Sequence, residues 1–148
     1  MNHAAKRYVF ERGSKWIIQL FDADPPNELY TSNITHVEVV ATIAKRRRMR
    51  TIPAGVFEGG IARFQSELRN LIALIAVDDI LIASAALLAK SYPLRGYDAV
   101  QLASAIALQR QLNENHVTPF TFVSADGDLN KIAILEGLTV ENPNDYQA

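Results

Sequence analysis

The chain has 148 residues, of which 49 % are apolar and 21 % charged, values that fit one globular domain and exclude wholesale disorder. Cysteine is absent, which excludes disulfides, thiolate zinc sites and cysteine nucleophiles and leads us to expect a reducing, cytoplasmic setting. Net charge is −1, yet Lys45, Arg46, Arg47, Arg48 and Arg50 hold five of the fifteen basic residues; the remaining ten face sixteen acidic ones, so one short basic stripe sits on an otherwise acidic chain.

The longest apolar run, Leu71 to Val77, is far short of the ~18 residues of a membrane span, so no membrane contact is expected. The first residues, MNHAAKRYVFERGS, lack the apolar region of a secretory signal. Neither a repeat nor a Pro/Gly/Ser linker divides the sequence, and one domain over residues 1–148 is expected.

Taken in order, Ala4 to Phe21 reads as helical, broken near Gly13 and restarted by a cap at Ser14. Asp24-Pro25-Pro26-Asn27 stops it. Glu28–Ser32 reads as a strand. The spacing of Val37, Val40, Ala41 and Ala44 predicts a helix over 35–50 with those residues on one face. Pro53 to Asn70 is a further helix, with Gly59-Gly60 as its weak point. Leu71–Val77 is read as a strand because a new helix, Asp79–Lys90, follows at once. Its Leu81, Ala85 and Leu88 are core candidates, as are Trp16 and Phe21. Tyr97–Gln111 is an Ala-rich buried helix. Thr118–Ser124 is a strand of β-branched and aromatic residues. Leu129–Glu136 is a helix closed by Gly137, and Leu138–Glu141 a last strand before Asn142-Pro143. Strands alternating with helices predict an α/β layer fold with a parallel sheet, in which ligands bind beyond the carboxyl ends of the strands.

Three acids fall at that kind of junction. Glu38 lies in the first turn after strand Glu28–Ser32, Asp98 at the start of the Ala-rich helix, and Asp126 directly after strand Thr118–Ser124. Carboxylates converging at one sheet edge repel unless a cation joins them, and hard oxygen donors select Mg²⁺ or Mn²⁺. Each acid also has a purely structural reading. Thr35-His36-Val37-Glu38 has the form of a capping box. Asp98 can complement a helix dipole, although its neighbours Ala99, Val100, Leu102 and Ala103 look buried, so its charge needs a partner. Asp126 can cap an Asp-Gly turn.

Asp126-Gly127-Asp128 also matches the aspartate-x-aspartate of phosphoaspartyl hydrolases, with one acid as nucleophile and the next as general acid. Leu129-Asn130 stands where a Thr or Val is usual. His3, His36 and His116 form no ligand pair, and serines 84, 91, 104 and 124 show no base pattern. No glycine-rich phosphate loop exists.

Around the three acids the sequence resembles the PIN-domain family, and within it the VapC ribonuclease toxins of type II toxin–antitoxin pairs. The likeness runs from about Lys6 to Pro143. It is carried by Lys6-Arg7-Tyr8-Val9 with Glu11, Gly13 and Ser14, by Ser32-Asn33-Ile34-Thr35-His36-Val37-Glu38, and by Leu94-Arg95-Gly96-Tyr97-Asp98-Ala99-Val100-Gln101-Leu102-Ala103-Ser104-Ala105. Phe122-Val123-Ser124-Ala125-Asp126 with Leu129 follows, then Glu136-Gly137-Leu138-Thr139-Val140-Glu141-Asn142-Pro143. The resemblance implies a three-layer fold with a parallel sheet of four to five strands. It implies a metal-dependent endoribonuclease in which Glu38, Asp98 and Asp126 hold Mg²⁺ or Mn²⁺, with Asp128, Thr35 and Ser124 in outer positions. It further implies RNA as substrate, an antitoxin protein as partner and a homodimer. Arg46, Arg47, Arg48 and Arg50 are candidate RNA contacts, their alternative role being to complement a helix C-terminus. A PIN-like module that binds antitoxin or RNA without cleavage is the competing reading.

One departure stands out. Aligned on Lys6-Arg7-Tyr8, the family's first strand and its aspartate fall before Met1, and nearby Asn2 is neutral. In the family that strand lies mid-sheet. Its two neighbours, Glu28–Ser32 and Thr118–Ser124, are therefore expected either to close up into a four-stranded sheet or to receive a strand from another chain, and metal affinity is expected to be weak.

Overall fold

In a computed structural model of the protein, residues 3–117 and 119–146 are described; Met1, Asn2, Thr118 and the last two positions, and with them parts of the expected N-terminal stretch and third strand, lie outside that range. The chain begins with a 3-10 helix, His3–Arg7, followed by α1 (Ser14–Phe21), β1 (Leu29–Ser32), α2 (Thr35–Arg48) and α3 (Ala54–Asn70). It continues with β2 (Ile72–Ile75), α4 (Asp79–Ser91), α5 (Gly96–Glu114), β3 (Phe122–Val123), α6 (Gly127–Leu135), β4 (Val140–Glu141) and a closing 3-10 helix, Pro143–Asp145.

This is the mixed α/β chain that the sequence implies, but the sheet is different. β1 pairs with β2, and β3 pairs in parallel with β4, Phe122 opposite Val140 and Val123 opposite Glu141. Among the described residues there are thus two two-stranded sheets, not one sheet of four to five strands, and β1 and β3 do not close up. Two features keep the second ladder short. Gly137 turns the chain before β4 at φ +86°, and Pro143 after it has no N–H to donate. The expected strand Thr118–Ser124 is accordingly ordered as strand only at Phe122–Val123.

The chain divides into two compact units, one comprising Met1–Tyr30, Ile34–Leu74 and Pro143–Ala148, the other Thr31–Asn33 and Ile75–Asn142. The first unit packs Tyr8, Val9, Val39, Ile43, Ile52, Phe64 and Leu68 into one core. Its helix α2 buries Thr35, Val39 and Ile43, whereas Val37 is 70 % exposed. The inner face is therefore not Val37–Val40–Ala41–Ala44. Burying Val39 and Ile43 removes more apolar surface from water than burying two alanines, so the larger side chains set the rotation of the helix.

Within α3, Gly60 packs closely on the first unit's core, where a Cβ would lie 3.4 Å from the Tyr8 carbonyl, while Gly59 faces open space. Gly13, at φ +83°, occupies the N-cap position of α1, and a Cβ there would come within 2.5 Å of the Pro143 carbonyl. Ser14 is therefore not the cap; it begins the helix, and its Oγ accepts the Glu11 N–H at 2.8 Å. Trp16 stacks on Tyr146 at 4.9 Å, and the Asp24–Pro25 peptide is cis.

The second unit packs Leu102, Ala105, Phe122, Leu129, Ile132, Ala133 and Leu138. Helix α5 is its centre: seven of its residues between Ala99 and Leu108 are buried. Helix α4 is capped by Asp78, whose carboxylate accepts the Leu81 N–H at 2.8 Å, and it buries Leu81 and Ala85.

Candidate functional site

Within the second unit, two helix N-termini carry an acid each. Asp98 lies in the first turn of α5, half-buried beside Ala99 and Val100. Asp126 is the N-cap of α6 and follows β3 after Ser124 and Ala125. Its Oδ1 accepts from the backbone N–H groups of Asp128 at 3.0 Å and Leu129 at 3.1 Å. The Asp126 N–H in turn donates to Ser124 Oγ at 3.1 Å, which fixes the chain at the strand end. The capping role read from the sequence is real, and it engages one carboxylate oxygen only.

The two acids feel each other's charge. Burial, and then the Asp126 carboxylate, push the Asp98 carboxyl above the usual aspartate range; the Arg95 guanidinium pulls in the opposite direction without prevailing. Burial and a neighbouring carboxylate both favour the neutral form of such a group. Two carboxylates are also what a bound Mg²⁺ commonly takes from a protein, its other ligands being water and phosphate oxygens. Both side chains are hard oxygen donors of the kind such an ion accepts. Among the described residues, no group of three or more His, Cys, Asp or Glu side chains is arranged to hold a metal ion.

The other candidates fall as follows. Glu38 is half-buried in the first turn of α2. The N-cap there is Ile34, and Thr35 is the first residue of the helix itself, so the capping-box register is not adopted. Thr35 is buried, and so is Ser124, with 3 % of its surface exposed. Asp128 is exposed and bonds Lys131 Nζ at 2.9 Å. This exposed i,i+3 pair is of the weak surface kind. In the basic stripe, Arg46 is tied to Glu11, and Arg47 donates to the Ile52 carbonyl at 3.4 Å. Arg48 and Arg50 are exposed, Arg50 at φ +58° just past the helix end.

The sequence reading missed two polar arrangements. In the first unit, Glu67 is buried and receives Arg7 Nε at 2.7 Å, Arg7 Nη2 at 2.8 Å, Tyr8 Oη at 2.7 Å and Arg63 Nε at 2.9 Å. Burial alone would raise its carboxyl, but the bonds from Arg7, Tyr8 and Arg63 prevail and hold it below the usual glutamate range. Burial and the bond to Glu67 push the Tyr8 phenol well up. The signal was the position of Glu67 on the inner face of α3, in step with Gly60, Phe64 and Leu68. In the second unit, Asn130 is buried and its Nδ2 donates to the Ser124 carbonyl at 2.9 Å; no local pattern announces it.

Compared with known proteins, the chain matches no family model, and no curated protein or solved structure is significantly similar to it.

Proposed function

We propose that this chain is a PIN-like, metal-dependent endoribonuclease of the VapC kind, acting on RNA phosphodiester bonds. The observation that carries the reading is the Asp98–Asp126 pair, two carboxylates at two helix starts whose charges act on each other.

Asp98 and Asp126 would hold Mg²⁺ or Mn²⁺, with Glu38 as a third ligand by resemblance. When bound, such an ion supplies an activated water and a counter-charge for phosphate oxygens. The chain's own residues prepare that site. The α6 cap holds the Asp126 carboxylate through Oδ1, leaving Oδ2 outside the cap. Asp98 is near enough to feel the Asp126 charge, and Arg95 acts on it from the opposite sign. Exposed Arg48 and Arg50 are suited to phosphate contact. A cytoplasmic location, a homodimer and an antitoxin partner belong to the same reading. The competing reading, a module that binds antitoxin or RNA without cleavage, is favoured by one observation: the described acids gather as a pair and not as a group of three.

Cleavage of a labelled RNA with Mn²⁺ separates the two. The nuclease reading expects cleavage that falls at least about a hundredfold in Asp98→Asn and in Asp126→Asn, the equivalent of several kcal/mol of lost charge stabilisation. Binding without any Mn²⁺-dependent cleavage would replace it by the module. Changing both Arg48 and Arg50 to Ala is expected to reduce the salt slope of RNA binding by about two.

A further inference from the structure

We infer that Asn130 is a positioning residue that fixes the turn presenting Asp126 at the start of α6; the inference rests on the reading of Asp98 and Asp126 as an ion site. Asn130 is the fourth residue of α6 and is 8 % exposed. Its side chain reaches back along the chain, and Nδ2 donates to the Ser124 carbonyl at 2.9 Å. Its own N–H donates to the Asp126 carbonyl at 2.9 Å. One residue thus grips the backbone on both sides of Ala125.

The Ser124 carbonyl lies just past the end of β3, where the ladder to β4 is finished. Ser124 spends its N–H on the Glu141 carbonyl at 3.1 Å, and its Oγ accepts the Asp126 N–H. With Asn130 on its carbonyl, every polar group of Ser124 is engaged, and the turn that presents Asp126 is closed from strand end to helix.

The arrangement has a cost that marks it as more than filler. Asn130 Oδ1 is buried without a hydrogen-bond partner. A buried acceptor left unpaired is unfavourable, and an apolar side chain of similar size would avoid the penalty. The neighbouring positions Leu129, Ile132 and Ala133 are apolar and buried, so the packing itself does not call for an amide. What the amide alone provides is the bond to Ser124, two residues before the acid.

The test uses the whole chain. In the wild-type protein, the Asn130 side-chain amide protons are expected to exchange far more slowly than those of exposed Asn113; equally fast exchange would overturn the inference before any variant is made. In Asn130→Ala, and in the milder Asn130→Ser, the metal-free protein should show at least tenfold faster exchange of the Asp128 and Leu129 amides, whose acceptor is Asp126 Oδ1, with α5 amides unchanged. Mn²⁺ affinity measured by titration should fall about 10–100-fold, as for other residues that orient a metal ligand. Unchanged exchange at Asp128 and Leu129 would overturn the inference whether or not metal binds. So would faster exchange with Mn²⁺ affinity equal to wild type. Faster exchange in the variants, combined with no Mn²⁺ binding by the wild type, would leave Asn130's hold on the turn intact and overturn the ion-site reading beneath it.

Discussion

The first unit buries a carboxylate and the second half-buries one, and they treat it in opposite ways. Glu67 in the first unit sits among donors: Arg7, Tyr8 and Arg63 all aim at its two oxygens, and its carboxyl is held below the usual range. Asp98 in the second unit has another acid as its main electrostatic neighbour, and its carboxyl is pushed up. The first arrangement is complete; its charges and lone pairs are answered inside the protein. In the second, burial and a like charge outweigh the nearby Arg95, and it is on this contrast that the proposed ion site rests.

The largest effect should come from unbalancing the complete arrangement. Glu67→Gln keeps the size of the side chain but leaves buried Arg7 with exposed Asp22 as its remaining carboxylate partner. Breaking a buried pair in this way costs about 3–5 kcal/mol, and chemical denaturation at neutral pH should read a loss of that order. The sign of the pH dependence follows from the lowered carboxyl. Glu67 contributes stability above the ordinary glutamate range, and that contribution disappears as pH falls through its depressed value. The gap between wild type and Glu67→Gln should therefore close in acid.

A smaller effect of opposite direction is expected at the second arrangement. The Asp98 carboxyl is raised, so ionising it weakens the fold, and the penalty grows as pH rises from the ordinary aspartate range through the raised native value. In the absence of divalent metal, Asp98→Asn should be more stable than wild type at neutral pH and indistinguishable from it below that range. Thermal melts at several pH values with a chelator present measure this directly. A variant less stable than wild type at neutral pH would mean that Asp98 has a favourable partner and that the two units are not opposites.

The sequence carried the helices better than the strands. Helix α5 announced itself through an alanine-rich run flanked by Gly96 and polar residues, and α6 through Asp126 before it and Gly137 after it. Strand β3 was read as seven residues and holds two, because the strand's extent depends on a partner that Gly137 and Pro143 cut short. The rotation of α2 was misread because alanines count as apolar in a pattern while contributing little buried area. The placement of Asp98 and Asp126 at helix starts was legible from the sequence. Asn130 was not, since its bond to Ser124 exists only once the turn has formed. The Arg7–Glu67 pair spans sixty positions of sequence, beyond the reach of any local pattern.

Metal-dependent thermal stability tests the central claim, that Asp98 and Asp126 form a cation site, most directly. Mn²⁺ at roughly a hundred times its dissociation constant contributes about 2.7 kcal/mol to a protein that binds it only when folded, which for a chain of this size raises Tm by roughly 5–10 °C. The account predicts that rise in the wild-type protein and its loss in both Asp98→Asn and Asp126→Asn. No rise in the wild type, or an equal rise in all three proteins, would contradict it.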